Sequence, residues 1–289
     1  MGSFKGHVLP GSLFLVVGVW HVWSAVARYV AAPPGEFRVR VWNPMGSGRL
    51  KHLELYVVAA GAFADMCVEL LYSTHLKFFV GREGILNPSH MNDFEHGGML
   101  LMFFIYGVVA LLSEKTRYLP FSNGALCLIA AAAFCAEYLL FYFHSTSHQG
   151  LEGYYHLLLV ILVGLCIAST VAGALCPNSF AVDLTSGIAI SLQGLWFYQT
   201  AFTLYGPMMP KGCHLSGNDI TCESHDSQIR GEFIANIQLF SLVFLVVIFV
   251  LGCYSVAASK YGHSELLNWH TAALQEDDQN EGDQELVAH

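Results

Sequence analysis

Three histidines that fall at the ends of separate apolar stretches, His96, His144 and His156, are the side chains of this chain best suited to do chemistry. Imidazole nitrogens bind Zn²⁺ readily, and three such ligands leave one tetrahedral position open for water or a substrate atom. Two acids in apolar surroundings, Glu69 and Glu137, complete the set, either as a fourth ligand or as a catalytic base beside the metal. A centre of that kind could activate water against a lipid-like substrate arriving sideways from the bilayer.

The spacing of these groups gives the idea its geometry. Asp65 and Glu69, His144 and His148, and Glu152 and His156 are each four residues apart, so each pair shares one face of a helix. Glu137 precedes His144 by seven residues, on the same face and about 10 Å deeper. A charge at the bilayer centre costs at least about 2.5 kcal/mol, so a glutamate there must be paired, protonated or part of a site. The same end of the chain's spans collects His75, His90, Asp93 and Glu95. No H-E-x-x-H motif is present. Each histidine taken alone is better explained by hydrogen bonds to headgroups, water or backbone, and it is the one-sided cluster with buried glutamates that raises a metal or proton-handling site to equal standing.

The elements that must hold these residues follow from composition. The chain is 54% hydrophobic and 12% charged, with a mean hydropathy of +0.49. Soluble domains carry about 25% charged residues. Seven apolar spans are read at 10–29, 53–72, 95–112, 121–143, 151–175, 182–205 and 232–258. Each is about the 20 residues that cross a hydrocarbon core, and each should be helical because unpaired backbone groups are intolerable in lipid. The expected fold is therefore an all-α integral membrane protein, a seven-transmembrane helix bundle over 1–258, followed by an acidic tail at 259–289. Residues 1–27 could alternatively be read as a cleaved leader ending at Ala25-Val26-Ala27, but the apolar run is long for one and is kept as the first span.

Basic residues set the expected orientation. Arg28, Arg38, Arg40, Arg49, Lys51, Lys115, Arg117 and Lys260 gather on one side, which puts that side and the C-terminus in the cytosol and the N-terminus in the lumen or outside. The histidines then lie at the non-cytosolic face. Cys213 and Cys222 share a loop on that face, where an oxidising compartment permits a disulfide; a Cys/His metal site with His214 and His225 is the alternative. Gly61 and Gly164 suggest close helix approach, while His21, Gln193 and Gln199 suggest interhelical hydrogen bonds. His7 lies on the same side as the cluster but has no supporting spacing. The net charge of −9 owes much to the tail, and nothing resembles a nucleic-acid surface.

Four segments together, "ADMCVELLY", "NDFEHGGMLLMFF", "CAEYLLFYFH" and "EGYYHLLLV", resemble the transmembrane protein 45 family, whose plant members are often labelled viral-response proteins. The resemblance runs from about residue 6 to 258 and is best at Glu69, His96, His144 and His156. It implies a multi-pass protein of the secretory pathway or plasma membrane and brings no established reaction. The acidic tail and the Cys213–Cys222 loop are not carried over from it. Two classes of function stand: a Zn-dependent hydrolase acting on a lipid-like substrate, and a non-enzymatic scaffold, receptor or proton- or metal-handling protein. The cytosolic halves of spans three, five and seven are almost wholly apolar, which argues against a continuous conduit. Only His21 and His52 lie in that half, too few for a stacked haem pair.

Overall fold

Hydrocarbon offers no partner to a peptide group, so each apolar stretch has to satisfy its backbone internally. In the computed structural model, which describes residues 3–33, 35–80, 84–147, 150–217 and 219–261, the outcome is seven helices. They are α1 (Phe4–Ala31), α2 (Leu53–Cys67), α3 (Met91–Lys115), α4 (Asn123–Ser147), α5 (Gly150–Leu175), α6 (Phe180–Leu204) and α7 (His225–Tyr261). All seven, with α2 prolonged by a π-helical turn at Val68–Ser73, are long and apolar enough to cross a membrane. Each overlaps a span read from the sequence, and most run further, because helix ends accept the polar residues that hydropathy leaves out. Helix α7 begins at His225 rather than at 232 for this reason. Residues 262–289 of the acidic tail and His148 lie outside the described residues.

Helix neighbours close a ring: α1 packs on α2 and α6, α2 on α3, α3 on α4, α4 on α5, and α5 on α6. Helix α7 stands outside the ring, against α1, α5 and α6, and leaves Phe233, Ile237, Phe240, Phe244 and Leu251 exposed as a lipid-suited face. The ring is tightest between α1 and α6. A Cβ on Gly18 would fall 2.5 Å from the Ser191 nitrogen, and one on Gly194 2.5 Å from the Leu15 nitrogen, so backbones touch where only glycine fits. Gly61 likewise presses on Leu13 at 2.6 Å, whereas Gly164 keeps an ordinary 3.7 Å from Tyr138 and is not a close-approach residue.

Because successive helices alternate in direction, α1, α3 and α5 begin at one end of the ring, where α2, α4 and α6 finish. This is the imidazole end. Two hairpins also lie between helices that meet there, β1 (Phe79–Val80) with β2 (Ile85–Leu86), and β3 (Cys213–Ser216) with β4 (Asp219–Cys222). Cys213 and Cys222 face each other in the second hairpin and are joined by a disulfide.

The opposite end is closed by the segment after α1, which the sequence presents as a plain polar connector. Phe37, Val39, Trp42 and Asn43 are instead buried. Asn123 holds this strap with two bonds, its Oδ1 accepting from the Val41 nitrogen at 3.0 Å and its Nδ2 donating to the Val39 carbonyl at 3.1 Å. The Val39 nitrogen donates to the Pro177 carbonyl at 2.8 Å, and Trp20 Nε1 donates to that of Asn43 at 3.1 Å. Proline at 33 keeps the chain out of helix, so its unpaired backbone groups need these partners when buried.

Candidate functional site

Every helix of the ring, or the residues directly after it, delivers at least one side chain to the imidazole end. Helix α1 brings His7, the π turn after α2 brings Glu69, α3 brings His96, α4 brings His144, α5 brings Glu152 and His156, and Tyr205 follows directly on α6. Ring centres lie 5.3 Å apart for His96 and His144, 5.8 Å for His144 and His156, and 5.8 Å for His7 and His156. The three histidines singled out from spacing are therefore mutual neighbours, and His7 joins them.

The way these rings are held matters as much as their spacing. Nδ1 of His7 donates to the Ser3 carbonyl at 3.0 Å, Nδ1 of His96 to that of Asn92 at 2.6 Å, and Nδ1 of His156 to that of Glu152 at 2.8 Å. Each partner is the carbonyl one turn earlier in the same helix, so one device fixes all three rings. A neutral imidazole that donates through Nδ1 carries its lone pair on Nε2, the tautomer used by metal-bound histidines whose other nitrogen is anchored. Glu152, buried behind His156, accepts from the Tyr205 hydroxyl at 2.7 Å.

Tetrahedral Zn²⁺ with Zn–N near 2.0–2.1 Å puts the centres of two ligating imidazole rings about 5.2 Å apart. The observed separations of 5.3 and 5.8 Å are close to that value. Among the described residues, however, no group of three or more His, Cys, Asp or Glu is arranged to hold a metal ion as it stands. The rings form a cup of the right size whose nitrogens would have to converge further.

The two acids separate. Glu69 is buried on the π turn, and its Oε2 has no hydrogen-bond partner among the described residues. The turn containing it meets α3 where Gly97, beside His96, lies under Leu70. A π insertion in an α-helix recurs at functional sites because it re-aims one side chain. Glu137 is elsewhere: it is 0% exposed, its Oε1 accepts from Gln193 Nε2 at 2.6 Å, and two helical turns put it about 10 Å from His144. Phe141 intervenes on the same face, with its ring 6.1 Å from that of His156 and 5.6 Å from that of Phe197. Of the remaining expected cluster members, Asp65 lines the cavity, His90 turns onto Asp93 at 2.8 Å and His75 packs on Tyr72.

Inside the ring runs one narrow cavity of about 140 Å³, lined by α1 to α6 and the strap and by nothing from α7. It starts at the cup and ends among His21, Glu54, Arg40 and Asp183, so the half at the strap end, expected from the sequence to be cytosolic and largely apolar in spans three, five and seven, is polar within. The ionisable groups come from α1, α2, α6 and the strap, and α5 adds the hydroxyls of Ser169 and Thr170. Asp183 is 1% exposed and accepts from His21 Nε2 at 3.0 Å and from Arg28 at 2.5 Å. Glu54 accepts from the Asn43 nitrogen of the strap at 2.6 Å. A sequence signal for this path did exist: His7, Phe14 and His21 recur every seven residues along α1, and all three line the cavity.

Residues 123–255 match a family of unknown function, DUF716. That stretch runs from the start of α4 into α7 and includes His144 and His156, while His7, Glu69 and His96 precede it. The chain is also similar to transmembrane epididymal protein 1A of Mus musculus, at 23% identity over 306 aligned positions covering 98% of this chain and 95% of that protein. The likeness to a transmembrane protein extends through the whole ring. With the helix lengths and composition, it makes this a multi-pass membrane protein.

Proposed function

We propose that this chain is a member of the transmembrane protein 45 family that holds a divalent metal of the Zn²⁺ class in its imidazole cup, as a non-enzymatic metal- and proton-handling protein of the membrane. The observation that carries the reading is the chain of four rings, His96, His144, His156 and His7, with successive centres 5.3–5.8 Å apart, of which His7, His96 and His156 are anchored through Nδ1 to their own helices. His96, His144 and His156 would be the ligands, with His7 as the fourth. The disulfide in the β3–β4 hairpin supports an oxidising compartment at this end, in keeping with the positive charge at the other; the cup would then face the lumen or the exterior, in the secretory pathway or at the plasma membrane.

Hydrolysis is the second reading, favoured by Glu69, whose carboxylate is buried beside the cup with one oxygen unpartnered among the described residues. A bound Zn²⁺ would there supply Lewis acidity towards a carbonyl oxygen or a water. Glu69 would accept the proton, and His7 would stay out of the ligand set so that one position remains open. Against it stands the cavity itself, since about 140 Å³ drawn out along the ring is well below the ~300–1,000 Å³ of ordinary ligand pockets.

Elemental analysis of the purified protein tests the cup directly. About one zinc per chain is expected, with loss of the metal in His144→Ala and in His156→Ala. Folded protein devoid of metal after growth and purification with added zinc would overturn the proposal. Release of fatty acid from a fluorescent ester lipid by the zinc-loaded protein, abolished in Glu69→Gln with zinc content unchanged, would move the conclusion from handling to hydrolysis.

A further inference from the structure

Glu137 is explained by neither the packing of the ring nor the cup. It is 0% exposed in the middle of α4, it lines the cavity, and its Oε2 has no hydrogen-bond partner among the described residues. Burying an acid without satisfying it is expensive, and such groups inside membranes mark ion or proton paths. The surrounding helices offer it little: α6 gives Gln193, which bonds only Oε1, and α5 gives Cys166, whose thiol is turned to the Gln193 carbonyl at 3.2 Å. Helices α1 and α3 present Phe14 and Phe103, packed with Phe134 at 6.4 and 5.4 Å between ring centres. No fixed cation comes from these neighbours to keep the carboxyl ionised.

Its level in the ring is equally telling. Along α1 the cavity passes from His7 to Phe14 to His21, two steps of seven residues or about 21 Å in all. Glu137 lies about 10 Å from His144 along α4, the same depth as Phe14 and so midway between the cup and the His21–Asp183 group. Aromatic layers bracket it, Phe141 towards the cup and Phe134 with Phe14 and Phe103 towards the strap. The cavity is about 140 Å³, close to the volume that holds one benzene when gathered into a single void. Shared out along the ring past these aromatic layers, that volume is of the kind waters occupy where polar partners line it.

We propose that the ring conducts protons, with Glu137 as the carrier that exchanges them between the imidazole cup and the His21–Glu54–Asp183 group at the strap end, and with Gln193 as the residue that positions its carboxyl. The step is proton exchange alone: the carboxyl gives its proton to a water or imidazole on one side and takes one from the other, with no change of oxidation state. This deepens the proton-handling part of the proposed function by naming the species and the route. It rests on the continuous cavity and is independent of metal in the cup.

The test uses the purified full-length chain in phosphatidylcholine vesicles containing a pH-sensitive dye, with a potassium gradient and valinomycin to set the voltage. Wild-type vesicles should acidify faster than protein-free ones, and Glu137→Gln, which keeps volume and a partner for Gln193, should fall to the protein-free rate. Glu137→Asp, a titratable side chain pulled back by one methylene, should retain an intermediate rate and serves as the working variant should the glutamine form fail to fold. Wild-type flux equal to that of protein-free vesicles, or a Glu137→Gln rate equal to wild type, overturns the proposal. Zinc content separates the two ideas: wild-type protein that carries flux but binds no zinc removes only the cup, and normal zinc with no flux removes only the relay.

Discussion

Replacing Asp183 with alanine should be among the most damaging single changes in this protein, and the size of the effect can be worked from its partners. The carboxylate accepts from His21 at 3.0 Å and from Arg28 at 2.5 Å, and is itself 1% exposed, against 3% for His21 and 22% for Arg28. Removing one member of a buried pair costs about 3–5 kcal/mol, mostly because the other charge is left buried without its partner. Arg28 sits at the edge of the ring and can partly extend to water, so the low end, about 3 kcal/mol, is expected. At roughly 2–4 °C per kcal/mol that is a fall of at least about 6 °C in the unfolding midpoint in detergent. Replacing both residues, Arg28→Met with Asp183→Leu, should recover much of the loss, since a well-packed apolar pair can stand in for a buried ionic one. The double-mutant cycle gives the coupling between them. A loss below about 1 kcal/mol for Asp183→Ala, the range of exposed ion pairs, would show that water reaches this group and that the strap does not seal the end of the ring.

Three further outcomes are expected. Gly18→Val should destabilise by at least about 1–3 kcal/mol, because its Cβ would stand 2.5 Å from the Ser191 nitrogen, while Gly98→Ala, with nothing within 4 Å, should be neutral in the same thermal assay. Asn123→Ala removes both side-chain bonds to the strap and should cost about 1–3 kcal/mol and expose 36–50 to protease added to the purified protein in detergent; protection equal to wild type would mean the strap is held by its apolar side chains alone. Cys213 and Cys222 should resist alkylation until reductant is added, and Cys213→Ser should cost about 2.5–3 kcal/mol of local stability from a bridge spanning nine residues, read as faster amide exchange in 213–222.

The membrane class and the seven helices were legible because hydropathy over about 20 residues is a strong signal that needs no tertiary information. The meeting of His96, His144 and His156 was legible too, since alternation of helix direction alone brings those ends together. What the linear pattern hid arises from convergence between elements distant in the chain. His7 is a lone histidine near the first helix start, and only the contact of α1 with α6 and the closure of the ring bring it beside His156. Glu54 and Asp183 are single acids near the starts of α2 and α6, 129 positions apart, which the strap and His21 join into one group. Glu137 shares a face with His144 as the heptad spacing requires, yet a shared face is not a shared site when a ring such as Phe141 fills the space between.

The two polar ends of the cavity obey opposite rules, and the difference bears on which of them meets a ligand. At the strap end unlike groups pair: carboxylate with guanidinium and imidazole, carboxylate with backbone N–H, amide with two backbone partners. Its carboxylates are paired from within, although Arg28 Nε and Asn43 Oδ1 have no hydrogen-bond partner among the described residues, and a cation added there would compete with bonds the acids already make. At the imidazole end like groups are brought together, the Nδ1 donors of His7, His96 and His156 spent on their own helices and each ring within 6 Å of the next. Neutral imidazoles gain little from each other and much from a shared cation or proton, so their convergence is understandable chiefly as preparation for one. Titration in vesicles should therefore show zinc or protons binding first at the cup, and a first binding step abolished by Asp183→Asn but unchanged by His144→Ala would reverse the assignment of the two ends.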